Sequence, residues 1–90
     1  MNELDKIRKE IDRIDCEIVR LFEERMEIVL KVAQHKERYH MPICYEARER
    51  EVLSNCQACL KNKEFAADVE ELYQVLFEIS KKAQARLFLK

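Results

Sequence analysis

Residues 3–38 read ELDKIRKEIDRIDCEIVRLFEERMEIVLKVAQHKER, and the spacing of apolar residues within them decides the fold. Leu4, Ile7, Ile11, Ile14, Ile18 and Leu21 step by alternating threes and fours, the interval that aligns side chains along one face of an α-helix. The next two steps reach Arg25 and Ile28, and Val32 continues the row. The stretch predicts one helix from about residue 3 to about residue 38, closed by a break from Tyr39 to Cys44 around Pro42. A guanidinium thus stands where this helix should present a core residue. An unpaired buried cation costs several kcal/mol or more, so Arg25 predicts that something anionic is held there.

The rest of the chain fits the same class. Of 90 residues, 48% are apolar and 39% charged, which suits one small soluble domain spanning 1–90. There is no glycine and one proline, Pro42, so strands and tight hairpins are disfavoured and an all-α fold is expected. A second helix, about residues 46 to 61, carries Val52, Leu53, Cys56 and Leu60. A third, about 65 to 88, carries Val69, Leu72, Tyr73, Leu76, Phe77, Ala83 and Leu87. The first helix exceeds ~50 Å at ~1.5 Å per residue, whereas a compact chain of this length has a radius of gyration of only ~12 Å. It cannot bury its whole seam in its own protomer. Three helices per chain in an intertwined, two-fold homodimer are therefore expected, although for the seam alone a plain coiled coil suffices.

The net charge of −1 argues against nucleic acid and against an anionic membrane surface as partners. No apolar run reaches transmembrane length, and the opening Met-Asn-Glu-Leu-Asp-Lys lacks both regions of a signal peptide, so a cytoplasmic protein is expected. Cys16, Cys44, Cys56 and Cys59 then read as reduced thiols. The pair Cys56-Gln-Ala-Cys59 has redox or zinc spacing, but it lies in a helical pattern without a second such pair, and no metal site is expected. His35 and His40 read as polar residues near a helix end.

Several polar residues fall on faces that should be apolar. Arg25, Val29, Val32 and Lys36 follow by four, three and four, which puts Arg25 and Lys36 on one face, ~16 Å apart along the axis. That span suits a small organic dianion. Arg8 is ~25 Å from Arg25 and points ~100° away around the helix, so it serves the same ligand only if it comes from another protomer. Ser80 and Gln84 lie in line with Val69, Tyr73, Leu76 and Leu87, and Glu49, with Arg48 beside it, leads into Val52, Leu53 and Cys56. Singly, each has an ordinary reading as a solvated charge, a back-bonded hydroxyl or a satisfied amide. Together they place cations, one carboxylate and a neutral amide on inward faces of three helices, which describes a polar pocket.

In their order and spacing these residues resemble the all-helical, type II chorismate mutases along essentially the whole chain. The matching segments are Ile7-Arg8-Lys9-Glu10-Ile11-Asp12 with Ile14-Asp15, Leu21-Phe22-Glu23-Glu24-Arg25, Val32-Ala33-Gln34-His35-Lys36, Pro42-Ile43, Arg48-Glu49 with Glu51-Val52-Leu53, and Ser80 to Gln84. The resemblance implies the rearrangement of chorismate to prephenate in the biosynthesis of phenylalanine and tyrosine, a reaction that needs no nucleophile, metal or cofactor. It further implies that Arg25 and a partner chain's Arg8 clamp the two substrate carboxylates with Arg48 close by. Lys36 and Gln84 would donate to the ether oxygen, Glu49 would accept from the ring hydroxyl, and Ser80 would line the pocket near a carboxylate. Where the family often has Asp at the start of the second helix, this chain has Tyr45, which removes a possible N-cap and side-chain contact.

Two other readings stay open on sequence grounds. An isochorismate-pyruvate lyase of the same fold would use much the same cations on an isomeric substrate, and Glu49 favours the mutase because it suits the chorismate hydroxyl. A catalytically silent dimerisation or regulatory module is opposed by the retention of Arg8, Arg25, Lys36, Arg48, Glu49 and Gln84 together, which a scaffold has no reason to keep inside.

Overall fold

The computed structural model describes residues 2–88, and among them it contains helices and no strands. Helix α1 runs Glu3–Arg38, α2 Glu46–Ala58 and α3 Ala66–Phe88, with a single 3₁₀ turn at Lys63–Phe65 before α3. The first helix begins where Asn2 caps it: the Asn2 side-chain oxygen accepts from the Asp5 backbone N–H at 2.8 Å. Glu3 and Asp5 in its first turn, and His35, Lys36 and Arg38 in its last, complement the helix dipole at both ends.

Its C-terminus closes in a Schellman arrangement, in which the His40 N–H donates to Glu37 O at 3.3 Å and the Met41 N–H to Lys36 O at 2.7 Å. This places His40 in the left-handed region, φ 57°, where glycine is the usual occupant. The chain has no glycine to offer, and histidine is among the side chains that tolerate this region better than most.

Helix α2 ends at Ala58, three residues short of the expected limit of 61. The Lys63 ammonium donates to the terminal carbonyls of Gln57 and Ala58, at 3.2 and 3.1 Å, and so takes up acceptors that a further helical turn would use. Asn62 then caps the 3₁₀ turn by accepting from the Glu64 N–H at 3.0 Å, and Gln57 Nε2 donates to Ala66 O at 2.9 Å, tying α2 to the start of α3.

Helix α3 is the central element, packed against both α1 and α2. The best-buried apolar residues are Ala33, Phe77 and Ala83, with Tyr73 meeting Phe77 edge-on at 5.8 Å between ring centroids. Apart from Asp5, the described residues of α1 that are less than fully exposed lie in its C-terminal half, in a stripe of Phe22, Arg25, Met26, Val29, Ala33 and Lys36. That stripe lies beside the apolar seam and shares Arg25 with it. The seam itself stays uncovered by its own chain, since Leu4, Ile7, Ile11, Ile14, Ile18, Leu21, Ile28 and Val32 are each 44 to 57% exposed. The chain is correspondingly extended, 56 × 28 × 15 Å with a radius of gyration of 16.5 Å, against ~12 Å for a compact domain of its length.

The left-handed residue at the end of α1 gives a direct test. His40→Gly relieves the steric cost of the side chain and should stabilise the fold by ~1 kcal/mol, raising the thermal midpoint by a few degrees. His40→Val should lower it. Unfolding followed by circular dichroism separates the two, and equal midpoints contradict the cap geometry.

Candidate active site

The groove between the C-terminal half of α1, the start of α2 and the end of α3 holds a cavity of ≈ 160 Å³. That is several times the ~30 Å³ share of one liquid water, so the space is not a packing defect. Arg25, Lys36, Arg48, Glu49, Ser80 and Gln84 all line it, on a floor of Val29, Val52 and Phe77. Three helices thus deliver six of the seven residues singled out in the sequence. The seventh, Arg8, is exposed on the N-terminal half of α1 and lies outside the lining of this cavity.

Arg25 is half-buried, and its Nη1 donates to Ser80 Oγ at 2.6 Å. Ser80 is only 7% exposed, so the hydroxyl fixes the guanidinium from beneath. Lys36 donates from Nζ to Ile43 O at 2.7 Å and to Gln84 Oε1 at 3.0 Å. Gln84 is 6% exposed. A lysine ammonium only donates, which fixes the amide with its oxygen toward Lys36 and leaves the NH₂ group to donate elsewhere. Burial holds the Lys36 pKa below the usual 10.5, while the surrounding Cys44 and Glu49 push the other way.

Among the described residues neither Arg25 nor Lys36 meets a carboxylate; both rest on neutral oxygens. Two half-buried cations on neutral acceptors keep their full charge for an incoming anion. Arg48 stands at the exposed rim and pairs with Glu51 one turn along its own helix. Glu49, more deeply set, pairs with Lys81 of α3, Nζ to Oε2 at 3.4 Å.

Lys81 also lines the cavity and was absent from the residues proposed on sequence grounds. Its spacing held a signal: it lies four residues after Phe77 and three before Gln84, on the same helical face as both. Tyr45 supplies no side-chain cap, as expected, and adds a contact that the sequence did not suggest. It caps α2 without a side-chain hydrogen bond, and its ring lies under the Lys36 ammonium, 5.4 Å from Nζ to the ring centroid. The aromatic face adds a cation–π contact to a charge that burial disfavours.

The cysteines are all free thiols, Cys56 half-buried and the others exposed. No helix among the described residues is long and apolar enough to cross a membrane.

The family described as chorismate mutase type II matches residues 7–85. A bifunctional chorismate mutase/prephenate dehydratase of Aquifex aeolicus (strain VF5) is 46% identical over 52 residues, which are 58% of this chain and 14% of that protein. The match thus spans about a seventh of the relative's length. No solved structure matches the chain significantly.

Burial of Lys36 is measurable without any assay of activity. In ¹⁵N-detected NMR its ammonium should titrate below the ordinary 10.5 in the free protein, because desolvation is the largest influence on it. A small dianion bound in the cavity should move that titration upward. A free-protein value at or above 10.5 contradicts the burial of the ammonium.

Proposed function

The chain belongs to the chorismate mutase type II family, and from that membership and the cation-lined cavity we propose that it rearranges chorismate to prephenate, at a site completed by a second copy of itself. The observation that carries this reading is the pair of half-buried cations, Arg25 and Lys36, whose hydrogen bonds among the described residues all go to neutral oxygens. Such a pair suits a small dicarboxylate. In the rearrangement a carbon–oxygen bond breaks as a carbon–carbon bond forms within one molecule, so no atom enters or leaves.

The proposed roles follow from what each side chain can donate. Arg25, held by Ser80, meets one substrate carboxylate with its planar fork. The Lys36 ammonium and the free NH₂ group of Gln84 sit side by side, a fixed pair of donors for the ether oxygen as negative charge grows on it. Glu49 accepts from the ring hydroxyl. Binding both ends of the flexible ether chain holds it in the compact reactive shape, which lowers the entropic part of the barrier. This reading places the protein in the biosynthesis of phenylalanine and tyrosine.

Arg8 enters through a homodimer. Eight seam residues remain about half exposed in the single chain, and among the described residues the N-terminal half of α1 is almost entirely exposed. A two-fold partner that lays its own α1 along this seam buries both copies of it and carries its Arg8 toward the other chain's cavity. The second carboxylate then has its clamp.

The test is an assay of wild type and Gln84→Glu on chorismate and, separately, on isochorismate. Wild type should convert chorismate to prephenate and leave isochorismate largely intact; pyruvate release from isochorismate as the main activity contradicts the reading. Gln84→Glu should keep activity mainly at low pH, where a protonated carboxyl still donates to the ether oxygen. A variant equally active from pH 5 to 8 would remove Gln84 from the mechanism.

A further inference from the structure

Lys81 is the cavity residue to which neither the family resemblance nor the sequence assigns a role. Among the described residues its contact with Glu49 is the one ion pair that joins two helices; the other three each lie within a single helix. It is also much the least exposed, with side chains 32% and 25% accessible against 58 to 66% for the others. The adjacent Lys82, by contrast, is exposed and makes no ion pair among the described residues. Lys81 is therefore folded over the cavity and is not one more solvated lysine on α3.

The geometry is uneven in an informative way. The ammonium approaches Oε2 of Glu49, and among the described residues Oε1 accepts no hydrogen bond within the chain. At 3.4 Å the contact is longer than the ~2.7–2.9 Å of a tight charge-assisted hydrogen bond, so it orients the carboxylate without saturating it. A glutamate has three side-chain torsions, and one without a partner samples many orientations across an open groove.

We propose that Lys81 is a positioning residue that holds Glu49 by one carboxylate oxygen and so presents the other to the ring hydroxyl of the substrate. Lys81 is then a determinant of specificity for substrates bearing that hydroxyl, acting through Glu49 and touching no reacting atom. The contact with Glu49 is also the main influence that raises the Lys81 pKa above 10.5, as expected of an ammonium held beside a carboxylate. The proposal rests on the reading of the chain as a chorismate mutase.

The experiment compares wild type, Lys81→Met, Lys81→Gln and Lys81→Arg on chorismate and on a chorismate analogue that lacks the ring hydroxyl. In Lys81→Met the ratio of kcat/KM for chorismate to that for the analogue should fall about tenfold, with most of the loss in KM for chorismate. Lys81→Gln, which keeps a polar side chain should Lys81→Met fold poorly, should show the same loss of ratio. Lys81→Arg should restore it. An equal loss on both substrates overturns the proposal, because it makes Lys81 a direct contact to the carboxylates. An unchanged ratio in a folded Lys81→Met also overturns it. If wild type itself fails to convert chorismate, the underlying reading falls and takes this one with it; if wild type is active and the ratio does not move, this one falls alone.

Discussion

Arg25 rests on a hydroxyl and Lys36 on a carbonyl and an amide oxygen, and the rest of the site depends on that choice of partners. Carboxylates in those positions would neutralise the cations and leave a stable but silent core. Neutral oxygens orient the donors without neutralising them, which is costly in a half-buried groove, and in the proposed reading that cost is recovered when a dianion enters. The depressed pKa of Lys36 records the same cost. Ser80 and Gln84, the two best-buried polar residues, hold the cations without discharging them, and in the proposed reading they belong to the binding apparatus for that reason.

A second constraint is the length of α1. Its C-terminal half carries the less exposed stripe, α1 packs on α3, and the seam beside that stripe stays about half exposed along the full helix. A helix of 36 residues cannot be buried by the two shorter ones that follow. Arg25 sits where the two faces meet, so a second chain laid on the seam would reach the rim of the cavity. In the proposed dimer folding and catalysis share one surface: the contact that buries the isoleucines of α1 also delivers the missing arginine.

Much of this was legible in the sequence, for identifiable reasons. The bounds of α1 followed from an unbroken three-and-four spacing, and Pro42 marked where it had to stop. The inward polar residues were legible because each broke an apolar pattern. The end of α2 was not, since neither glycine nor proline stands between residues 58 and 62, and the stop depends on Lys63 reaching back to the last carbonyls. Lys81 was missed because its partner lies on another helix, 32 residues earlier, and a lysine in a helix rich in charge reads as solvated. Tyr45 read as the loss of a side-chain cap, which it is, but the contact of its ring with Lys36 was not legible. Contacts between helices are the part of the site that periodicity cannot supply.

The central claim, a site shared between two chains, is tested most directly by complementation. Arg8→Ala and Arg25→Ala homodimers should each be nearly inactive on chorismate. Unfolded together in equal amounts and refolded, they should give about half mixed dimers, each with one pocket holding both arginines and one holding neither. Activity should then recover to about a quarter of wild type, the fraction of pockets that are intact. A mixture that native mass spectrometry shows to contain the mixed dimer, yet that stays as inactive as its parents, contradicts the shared site.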